Sequence, residues 1–358
     1  MTLYGTLLNA SPEAADAFLI TSPVNRRYLT HFASSAGLAA VTPKTNAYFT
    51  DFRYTGAARK AKDEGVFAAD IDIFEQKGDD WTKLFDGCET VLVEESFVTM
   101  SALAGLRKKL PNAKIVGGAS QALEKLRAVK TDDELADIEK AQSITDAAFT
   151  HITDWLSDHL GKGIRECDVA LELEYFMRLH GADGLAFDTI AVSGTKSAMP
   201  HGAPDETPVG EGFLTMDFGA RCHGYCSDMT RTVCVGKPTE KMRDVYDTVL
   251  KAQEAALDFI SAGKSGHAID KVARDLIAAR GYAGTFGHSL GHSLGLDIHE
   301  RPVFAPSFGE LIPAGAVVSV EPGVYLPGEF GVRIEDIVNI TENGCKNLTK
   351  SPKELLIL

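Results

Sequence analysis

The chain has 358 residues, more than a single hydrophobic core usually serves, so its length predicts two domains. Hydrophobic residues make up 44% and charged residues 24% of the chain, which is the composition of an ordinary globular protein and excludes extensive disorder. The 36 basic and 50 acidic residues leave a formal net charge of −14. A negative field of this size disfavours nucleic acids and anionic membranes as partners, because both are bound through basic patches.

The distribution of apolar and cysteine residues bears on where the protein is located. The N-terminal segment has no basic region followed by an apolar core, which is the pattern of a signal peptide. No apolar run approaches the roughly 20 residues that a membrane-spanning helix needs. The six cysteines are dispersed without a CxxC pair, as in proteins of reducing compartments. We therefore expect a cytoplasmic protein without a membrane partner.

The first third of the chain alternates short apolar runs with helical patterns. The predicted strands are Ala17–Ile20, Leu38–Val41, Ala47–Phe49, Val91–Glu94 and Ile115–Val116. The predicted helices are Tyr54–Glu64 and Ser101–Leu110. Strands that alternate with helices predict a small α/β domain in this part of the chain.

The pattern changes near Leu126–Lys130, where we place the domain boundary. Thr131, followed three residues later by Glu134, forms a capping box, which marks the start of a helix. Apolar residues recur at helical spacing after it, so this helix is long and amphipathic. We therefore predict an N-terminal domain of residues 1–126 and a C-terminal domain of residues 127–358.

The C-terminal domain mixes helices with pairs of strands. Further helices are predicted near Arg165–His180, Glu240–Ile260 and His267–Arg280. Strand pairs are predicted at Phe213–Ala220 with Tyr225–Val235, and at Ala316–Val320 with Val332–Ile340. The sequence Pro-x-Gly precedes both hairpins, at Pro208 and Pro313, as it would in two copies of one helix-plus-hairpin unit.

The first hairpin sets two acidic residues against each other. A symmetric hairpin whose turn lies near Arg221–Gly224 pairs Asp217 with Asp228. Directly opposed side chains have Cβ atoms roughly 4.5–5.5 Å apart, so two carboxylates there repel one another. The neighbouring apolar residues Met216 and Phe218 indicate a half-buried site. Such a pair is costly unless a positive charge lies between its members.

The second hairpin repeats this arrangement. Glu321 ends one predicted strand, Glu335 lies in the next, and Gly328 is midway between them in a turn. A single acid is most often a surface residue, and a pair of acids can instead share a proton, as in aspartic proteases. Four acids in two converging hairpins favour bound cations over surface residues and over shared protons. Four carboxylates also balance the charge of two divalent ions.

Several histidines fall within one later segment. His288 and His292 have the spacing of the HExxH zinc helix, but the glutamate is missing and Gly291 interrupts the segment, which favours a strand or loop. His201 and His299 are further candidates. One histidine beside four carboxylates is a ligand set that suits Mn²⁺, Co²⁺, Fe²⁺ or Zn²⁺.

These residues resemble the site of a known family, the M24 metallopeptidases, which have the pita-bread fold and include prolidase, aminopeptidase P and methionine aminopeptidase. The order and spacing of the family's five metal ligands are matched by Asp217, Asp228, His292, Glu321 and Glu335. The blocks SGTKSAMPHG, MDFGARCHGYCSDMTRT, GHSLGHSLGLDIHE, SVEPGVY and GVRIEDIV carry the same resemblance. Asn25…Tyr28-Leu-Thr and Thr50-Asp-Phe-Arg-Tyr are similar to the N-terminal domain of the prolidase and aminopeptidase P branch.

The resemblance implies an α/β N-terminal domain of the creatinase/prolidase type, followed by an α+β pita-bread catalytic domain. It implies two divalent metal ions, Mn²⁺ being the ion we expect, and a homodimer. Asp217 would bind one ion through both oxygens, and Asp228 and Glu335 would bridge the two ions. His292 and Glu321 would complete the second metal position.

The resemblance also implies catalytic roles around the metals. Glu321 would handle a proton beside the activated water. His201, His288 and His299 would contact the substrate and the oxyanion that develops on it. Arg333 would orient a ligand carboxylate from behind. Arg301 replaces the aromatic or other residue that the family often carries after the His-Glu pair.

These inferences predict an exopeptidase that hydrolyses the bond before proline, first an Xaa-Pro dipeptidase (a prolidase) and alternatively an Xaa-Pro aminopeptidase that acts on longer peptides. Two further readings are creatinase-like C–N hydrolysis without a metal and a catalytically inactive peptide-binding module. Both would be expected to lose metal ligands, and the five predicted ligands are all present. Methionine aminopeptidases usually lack the N-terminal α/β domain, which disfavours that branch.

Overall fold

The computed structural model describes residues 2–358. The chain divides into two compact units, the first ending at Arg127 and the second beginning at Ala128. Among the described residues, no helix combines the length and the apolar character that crossing a bilayer requires.

The first unit is an α/β unit. Its helices are α1 (Leu3–Ala10), α2 (Pro23–Thr30), α3 (Phe52–Asp63), α4 (Met100–Lys109) and α5 (Ala119–Ala128). Its strands are β1 (Ala17–Ile20), β2 (Leu38–Val41), β3 (Asn46–Thr50), β4 (Asp72–Glu75), β5 (Thr90–Val93) and β6 (Lys114–Val116). The five strands predicted from the sequence are among these six, and β4, α1, α2 and α5 were not predicted.

The six strands form one mixed sheet in the order β4-β3-β2-β1-β5-β6. The central strand β1 is buried along its whole length. Phe18 and Ile20 enter one hydrophobic core, while Ala17 and Leu19 enter another, because alternate residues of a strand point to opposite faces. The sheet is therefore covered on both faces, as expected of an α/β domain.

The second unit contains four long helices and thirteen strands. The helices are α6 (Asp132–His159), α7 (Glu166–Leu179), α8 (Glu240–Phe259) and α9 (Gly266–Ile277). The strands are β7 (Gly184–Leu185), β8 (Ile190–Ser193), β9 (Gly212–Phe218), β10 (Ala220–Cys222), β11 (Tyr225–Cys226), β12 (Met229–Val235), β13 (Gly291–Ser293), β14 (Glu300–Phe304), β15 (Val317–Val320), β16 (Gly323–Leu326), β17 (Phe330–Arg333), β18 (Asp336–Thr341) and β19 (Gly344–Asn347). The capping box at the start of α6 is present as predicted.

Each of two helix pairs covers its own set of strands. Helices α6 and α7 share a core with β9 and β12, in which Leu173 and Met216 are fully buried. Helices α8 and α9 share a second core with β15 and β18, in which Ile269 and Val318 are fully buried. The two halves of the unit therefore repeat one helix-and-strand arrangement, which positions one hairpin from each half.

Two strands that the sequence predicts as continuous are interrupted, and each interruption contains a predicted metal ligand. The strand predicted at Tyr225–Val235 breaks at Ser227–Asp228, because β11 pairs with β10 whereas β12 pairs with β9. The strand predicted at Val332–Ile340 breaks at Ile334–Glu335, because β17 pairs with β16 whereas β18 pairs with β15. The continuous strands predicted at these positions are wrong.

Candidate active site

A cavity of about 550 Å³ lies in the second unit, a size that accommodates a small peptide. Its wall contains every site residue that the sequence predicts, namely His201, Asp217, Asp228, His288, His292, His299, Glu321, Arg333 and Glu335. Phe187–Ile190, Pro200 and Gly202–Pro204 form much of the remaining wall. The fold therefore brings together residues from segments that are far apart in the chain.

The predicted pairing of the first hairpin is wrong by one position of the turn. The turn occupies His223 and Gly224, whose φ angles of 46° and 83° are both positive, as in the tight turns that suit twisted hairpins. The register therefore pairs Asp217 with Thr230 and not with Asp228. Asp228 lies in the interruption between β11 and β12, outside the ladder, and from there lines the cavity with Asp217.

The second hairpin has the predicted register. Val320 pairs with Asp336 in one ladder and Gly323 pairs with Arg333 in the other, and the same register runs through both. It aligns Glu321 with Glu335 across the interruption between the two ladders.

Four of the five predicted ligands lie within a few ångströms of one another. Ligand atoms of Asp228, His292 and Glu335 all lie within 4.8 Å of each other. Nε2 of His292 is 3.4 Å from Oε1 of Glu321 and 3.6 Å from Oδ2 of Asp228. Asp217, the fifth predicted ligand, lines the same cavity. An imidazole nitrogen therefore faces a group of carboxylates from both hairpins.

The electrostatics of this cluster fit divalent cations. Burial, and then repulsion from neighbouring carboxylates, raises the pKa of Asp228 and of Glu335 well above their ordinary values. Burial likewise raises the pKa of Glu321 to about 8. Oδ1 of Asp217 and Oε1 of Glu335 are buried without a hydrogen-bond partner among the described residues. Unpartnered buried acceptors and crowded negative charge are what bound cations would relieve.

Two hydroxyl groups that the sequence did not single out hold the predicted ligands in place. The Ser319 hydroxyl accepts a hydrogen bond from the backbone N–H of His292 and donates one to Glu321, each 3.0 Å long. The Thr230 hydroxyl donates to Oε2 of Glu335 at 2.7 Å. Such supporting contacts orient metal ligands in proteins. Both residues lie in the predicted strands, but strand patterns do not distinguish supporting hydroxyls from ordinary ones.

Tyr325 connects Arg333 to His288 and was also missed. The Tyr325 oxygen accepts from Nη1 of Arg333 at 2.8 Å and lies 2.9 Å from Nε2 of His288. The Ser289 carbonyl beside Nδ1 only accepts, so Nδ1 of the neutral imidazole carries the proton and Nε2 accepts the proton of the phenol. Nδ1 of His288 then donates to the Ser289 carbonyl at 2.8 Å. Burial lowers the pKa of His288 to about 4, so this histidine is neutral at physiological pH. The signal for Tyr325 was its place in the block SVEPGVY.

The other two predicted histidines approach the cluster from different segments. The His299 ring packs edge-on against His292, with ring centroids 4.4 Å apart. Burial lowers the pKa of His299, which favours its neutral form. His201 is an exposed residue of the cavity wall, in the loop that follows the 3₁₀ turn Gly194–Ala198. An imidazole N–H group in such a position can donate a hydrogen bond to a bound carbonyl.

Comparison with known proteins places both parts of the chain in described families. Residues 136–342 match "Metallopeptidase family M24", and residues 10–129 match "Creatinase/Prolidase N-terminal domain". An "Xaa-Pro dipeptidase" of Pyrococcus furiosus is 36% identical over 344 residues, which are 95% of each chain. The "Uncharacterized peptidase YqhT" of Bacillus subtilis is 41% identical over 350 residues, which are 96% of each chain.

Solved structures of similar proteins have the same fold. An Xaa-Pro dipeptidase from Bacillus anthracis superimposes with a TM-score of 0.93 at 40% identity and 99% coverage of each chain. An X-Pro aminopeptidase from Thermotoga maritima gives a TM-score of 0.88 at 35% identity, covering 96% of this chain and 98% of its own. The predicted fold class is thus confirmed, an α/β creatinase/prolidase-type domain followed by a pita-bread catalytic domain. The chain belongs to metallopeptidase family M24 and is an enzyme, a metallopeptidase of the prolidase-like type.

Proposed function

We propose that the enzyme is an Xaa-Pro dipeptidase that uses two divalent metal ions. The ions would be held by Asp217, Asp228, His292, Glu321 and Glu335. The observation that carries this proposal is the group of buried carboxylates around His292. Two of their oxygens, Oδ1 of Asp217 and Oε1 of Glu335, lack a hydrogen-bond partner among the described residues. Mn²⁺ is the proposed ion, since the donor set is rich in oxygen with a single imidazole; Co²⁺, Fe²⁺ or Zn²⁺ fit the same donors less specifically.

The chain's own residues would supply the rest of the chemistry. Divalent ions bound in this cavity would polarise a carbonyl and lower the pKa of water. Glu321 would hold the transferred proton at its carboxylate, beside His292. His201 and His299 would donate hydrogen bonds to the substrate carbonyl and to the oxyanion that develops on it. His288 would do so only after releasing Ser289 or Tyr325, because both of its nitrogens are engaged.

Arg333 would have a supporting role behind the metal ligands. It is buried, and its guanidinium donates to Asp217, to Thr230 and to Tyr325. These contacts orient the Asp217 carboxylate on one side of the guanidinium and Tyr325, with its partner His288, on the other. Arginine suits this role because its donors have fixed directions and its charge does not titrate.

The substrate would be a peptide with proline in second position. The tertiary amide before proline differs from other peptide bonds and favours a dedicated enzyme. Relatives named Xaa-Pro dipeptidase, at 35% and 36% identity, support the dipeptide as substrate. The similar X-Pro aminopeptidase from Thermotoga maritima supports the second candidate, removal of the first residue from longer peptides.

The proposal is tested by hydrolysis of Ala-Pro and Ala-Pro-Ala with added Mn²⁺, with Ala-Ala as the matched control for proline. We expect turnover of Ala-Pro, little turnover of Ala-Ala, and loss of activity after chelation. Turnover of the tripeptide alone would replace the dipeptidase by the aminopeptidase. Activity that survives complete metal removal would favour the creatinase-like reading. A protein that binds no Mn²⁺ and hydrolyses none of the three peptides even with Mn²⁺ added would favour the peptide-binding module.

We also propose that the enzyme is a cytoplasmic homodimer. The dispersed cysteines and the net charge of −14 support a reducing, aqueous environment without nucleic acid or membrane partners. The dimer rests on the family resemblance. Light scattering of the purified protein tests it directly, with twice the mass of 38.5 kDa expected.

A further inference from the structure

A lysine outside the cavity wall fastens the loop that carries His201. Lys196 lies in the 3₁₀ turn Gly194–Ala198, directly before this loop. Its Nζ is 2.7 Å from Oε2 of Glu166 and 2.8 Å from Oδ2 of Asp205. One ammonium group therefore connects the first residue of α7 with a residue on the far side of the loop. We call these three residues, Lys196, Glu166 and Asp205, the clasp.

Glu166 is the fixed end of the clasp. Its side chain is fully buried, and Oε1 accepts hydrogen bonds from the backbone N–H of Ser193 at 2.7 Å and from its hydroxyl at 3.0 Å. Lys196 supplies the positive charge beside this carboxylate. A buried carboxylate that loses its cation is strongly destabilised, so Lys196 is held at this position.

Asp205 is the other end of the clasp. The backbone N–H groups of Glu166 and Cys167 donate to the carbonyls of Thr207 and Asp205, each at 3.0 Å. Burial opposes the charge on Lys196, but its hydrogen bonds with Asp205 and Glu166 raise its pKa overall. The hydrogen bond from Lys196 is also the main reason why the pKa of Asp205 is lowered. The ion pair between Lys196 and Asp205 is therefore maintained at neutral pH.

The chain between Lys196 and Asp205 forms part of the cavity wall. Residues 199–204 lie between Lys196 and Asp205, and Pro200–Pro204 all line the cavity. Within this segment His201 is exposed, so its own burial does little to hold it. A further contact is the 3.3 Å hydrogen bond from Arg333 to the Pro200 carbonyl. The clasp holds the two ends of segment 199–204 together, and without it this surface loop would be more mobile.

We propose that Lys196 is a positioning residue, which through Glu166 and Asp205 holds His201 and the wall Pro200–Pro204 in the geometry that receives the substrate. The inference rests on the proposed function for the role of His201. The predicted metal ligands lie on other segments, in or beside β9, β12, β13 and β15 to β18. Loss of the clasp should therefore weaken substrate binding more than it weakens metal binding or the chemical step.

The test compares K196M, D205N and K196R with the wild-type protein by amide hydrogen exchange and by kinetics. For K196M we expect exchange of the amides of Met199 and His201–Ala203 to rise about tenfold or more, because two contacts of a charged group are lost. Exchange in α8 should not change. KM for Ala-Pro should rise about tenfold while kcat falls less than about threefold. D205N weakens only the more exposed contact, so exchange of these amides and KM should each rise by a smaller factor of about three.

Two comparisons separate positioning from general damage. K196R keeps the charge and should restore exchange and KM to within about twofold of the wild-type protein. K271M removes a lysine of an exposed pair in α9, Lys271 with Asp275, and should change neither quantity. Exchange and KM of K196M equal to those of K271M would overturn the clasp. If the wild-type protein fails to hydrolyse Ala-Pro, the proposed function is refuted, whereas unchanged exchange in folded K196M refutes the clasp itself.

Discussion

Arg333 donates a 2.6 Å hydrogen bond from Nη2 to Oδ2 of Asp217, while Oδ1 of Asp217 is buried without a hydrogen-bond partner among the described residues. The arginine thus orients the carboxylate and leaves Oδ1, together with the second lone pair of Oδ2, for another positive charge. A buried charge needs such a partner, and a bidentate arrangement would have satisfied both oxygens. The pair therefore links the orientation of one predicted ligand to the proposed metal site.

Loss of this pair should destabilise the metal-free protein. Arg333→Met leaves the Asp217 carboxylate without its cation and breaks the contacts to Thr230 and Tyr325. Breaking a buried pair in this way costs about 3 kcal/mol of unfolding free energy. Urea denaturation in the presence of a chelator measures the change. Arg178→Met, at an exposed position of α7, is the control and should stay within about 0.5 kcal/mol of the wild-type protein. Equal stability of the two variants would refute the prediction.

Replacement of a proposed bridging ligand should weaken metal binding. Glu335→Gln keeps the size of the side chain but removes the charge and one acceptor from a carboxylate whose Oε1 is unpartnered. We expect the affinity for Mn²⁺ to fall about 100-fold, since even the loss of a supporting residue lowers metal affinity 10- to 100-fold. Titration calorimetry measures this, and Glu342→Gln, at an exposed position, is the control. Unchanged affinity in Glu335→Gln would show that the metals bind elsewhere.

The metal-free protein should become less stable as the pH rises through neutrality. Burial raises the pKa of Glu321 to about 8, from an ordinary value of 4.5. Between these values the folded protein binds a proton that the unfolded chain has released, so the stability present below pH 4.5 is lost as the pH rises through about 8. The midpoint temperature of thermal unfolding, measured with chelator, should decrease as the pH is raised from about 5 to about 8.5. Glu321→Gln should flatten this dependence. A chelated protein that gains stability over this range would contradict the prediction.

Removal of the Tyr325 hydroxyl should reduce catalysis without removing the ring. Tyr325→Phe loses the acceptor for Arg333 and the donor to Nε2 of His288, so the guanidinium and the imidazole ring each lose one of the contacts that orient them. We expect kcat/KM to fall roughly tenfold, because a hydrogen bond to a charged group contributes about 1.5–3 kcal/mol. Tyr246→Phe is the matched control, since Tyr246 is also buried and donates to the Lys353 carbonyl away from the cavity. Equal kcat/KM in the two variants would remove Tyr325 from the site.

The second hairpin shows that a sequence can predict strand register when the turn is symmetric. The centre at Gly328 predicts the alignment of Glu321 with Glu335, and both ladders of the structure have that register. Gly328 adopts a φ of 79°, a conformation open to glycine, so the residue type itself marks the turn.

The first hairpin shows where the same reasoning fails. His223 adopts a φ of 46°, which few residues other than glycine favour, so residue type does not mark it as a turn position. The predicted centre was therefore misplaced, and Asp217 was given the wrong partner. Asp228 nevertheless lines the cavity, from the interruption between β11 and β12.

Residues that act through other residues were the hardest to predict. Ser319 and Tyr325 lie in the block SVEPGVY and Lys196 in the block SGTKSAMPHG, but nothing in these blocks distinguishes them from residues without a supporting role. The carboxylate ligands could be predicted because acids paired with acids in a hairpin form a local sequence pattern that needs an explanation. Hydroxyl groups and a lysine form no such pattern. Their roles follow only from tertiary distances.

The central claim is that the carboxylates around His292 converge because two divalent ions lie among them. Anomalous diffraction from a crystal of the protein grown with Mn²⁺ tests this most directly. The account predicts two peaks per chain, bounded by Asp217, Asp228, His292, Glu321 and Glu335. A crystal at saturating Mn²⁺ in which these carboxylates bond only to protein groups, with no peak among them, would contradict it.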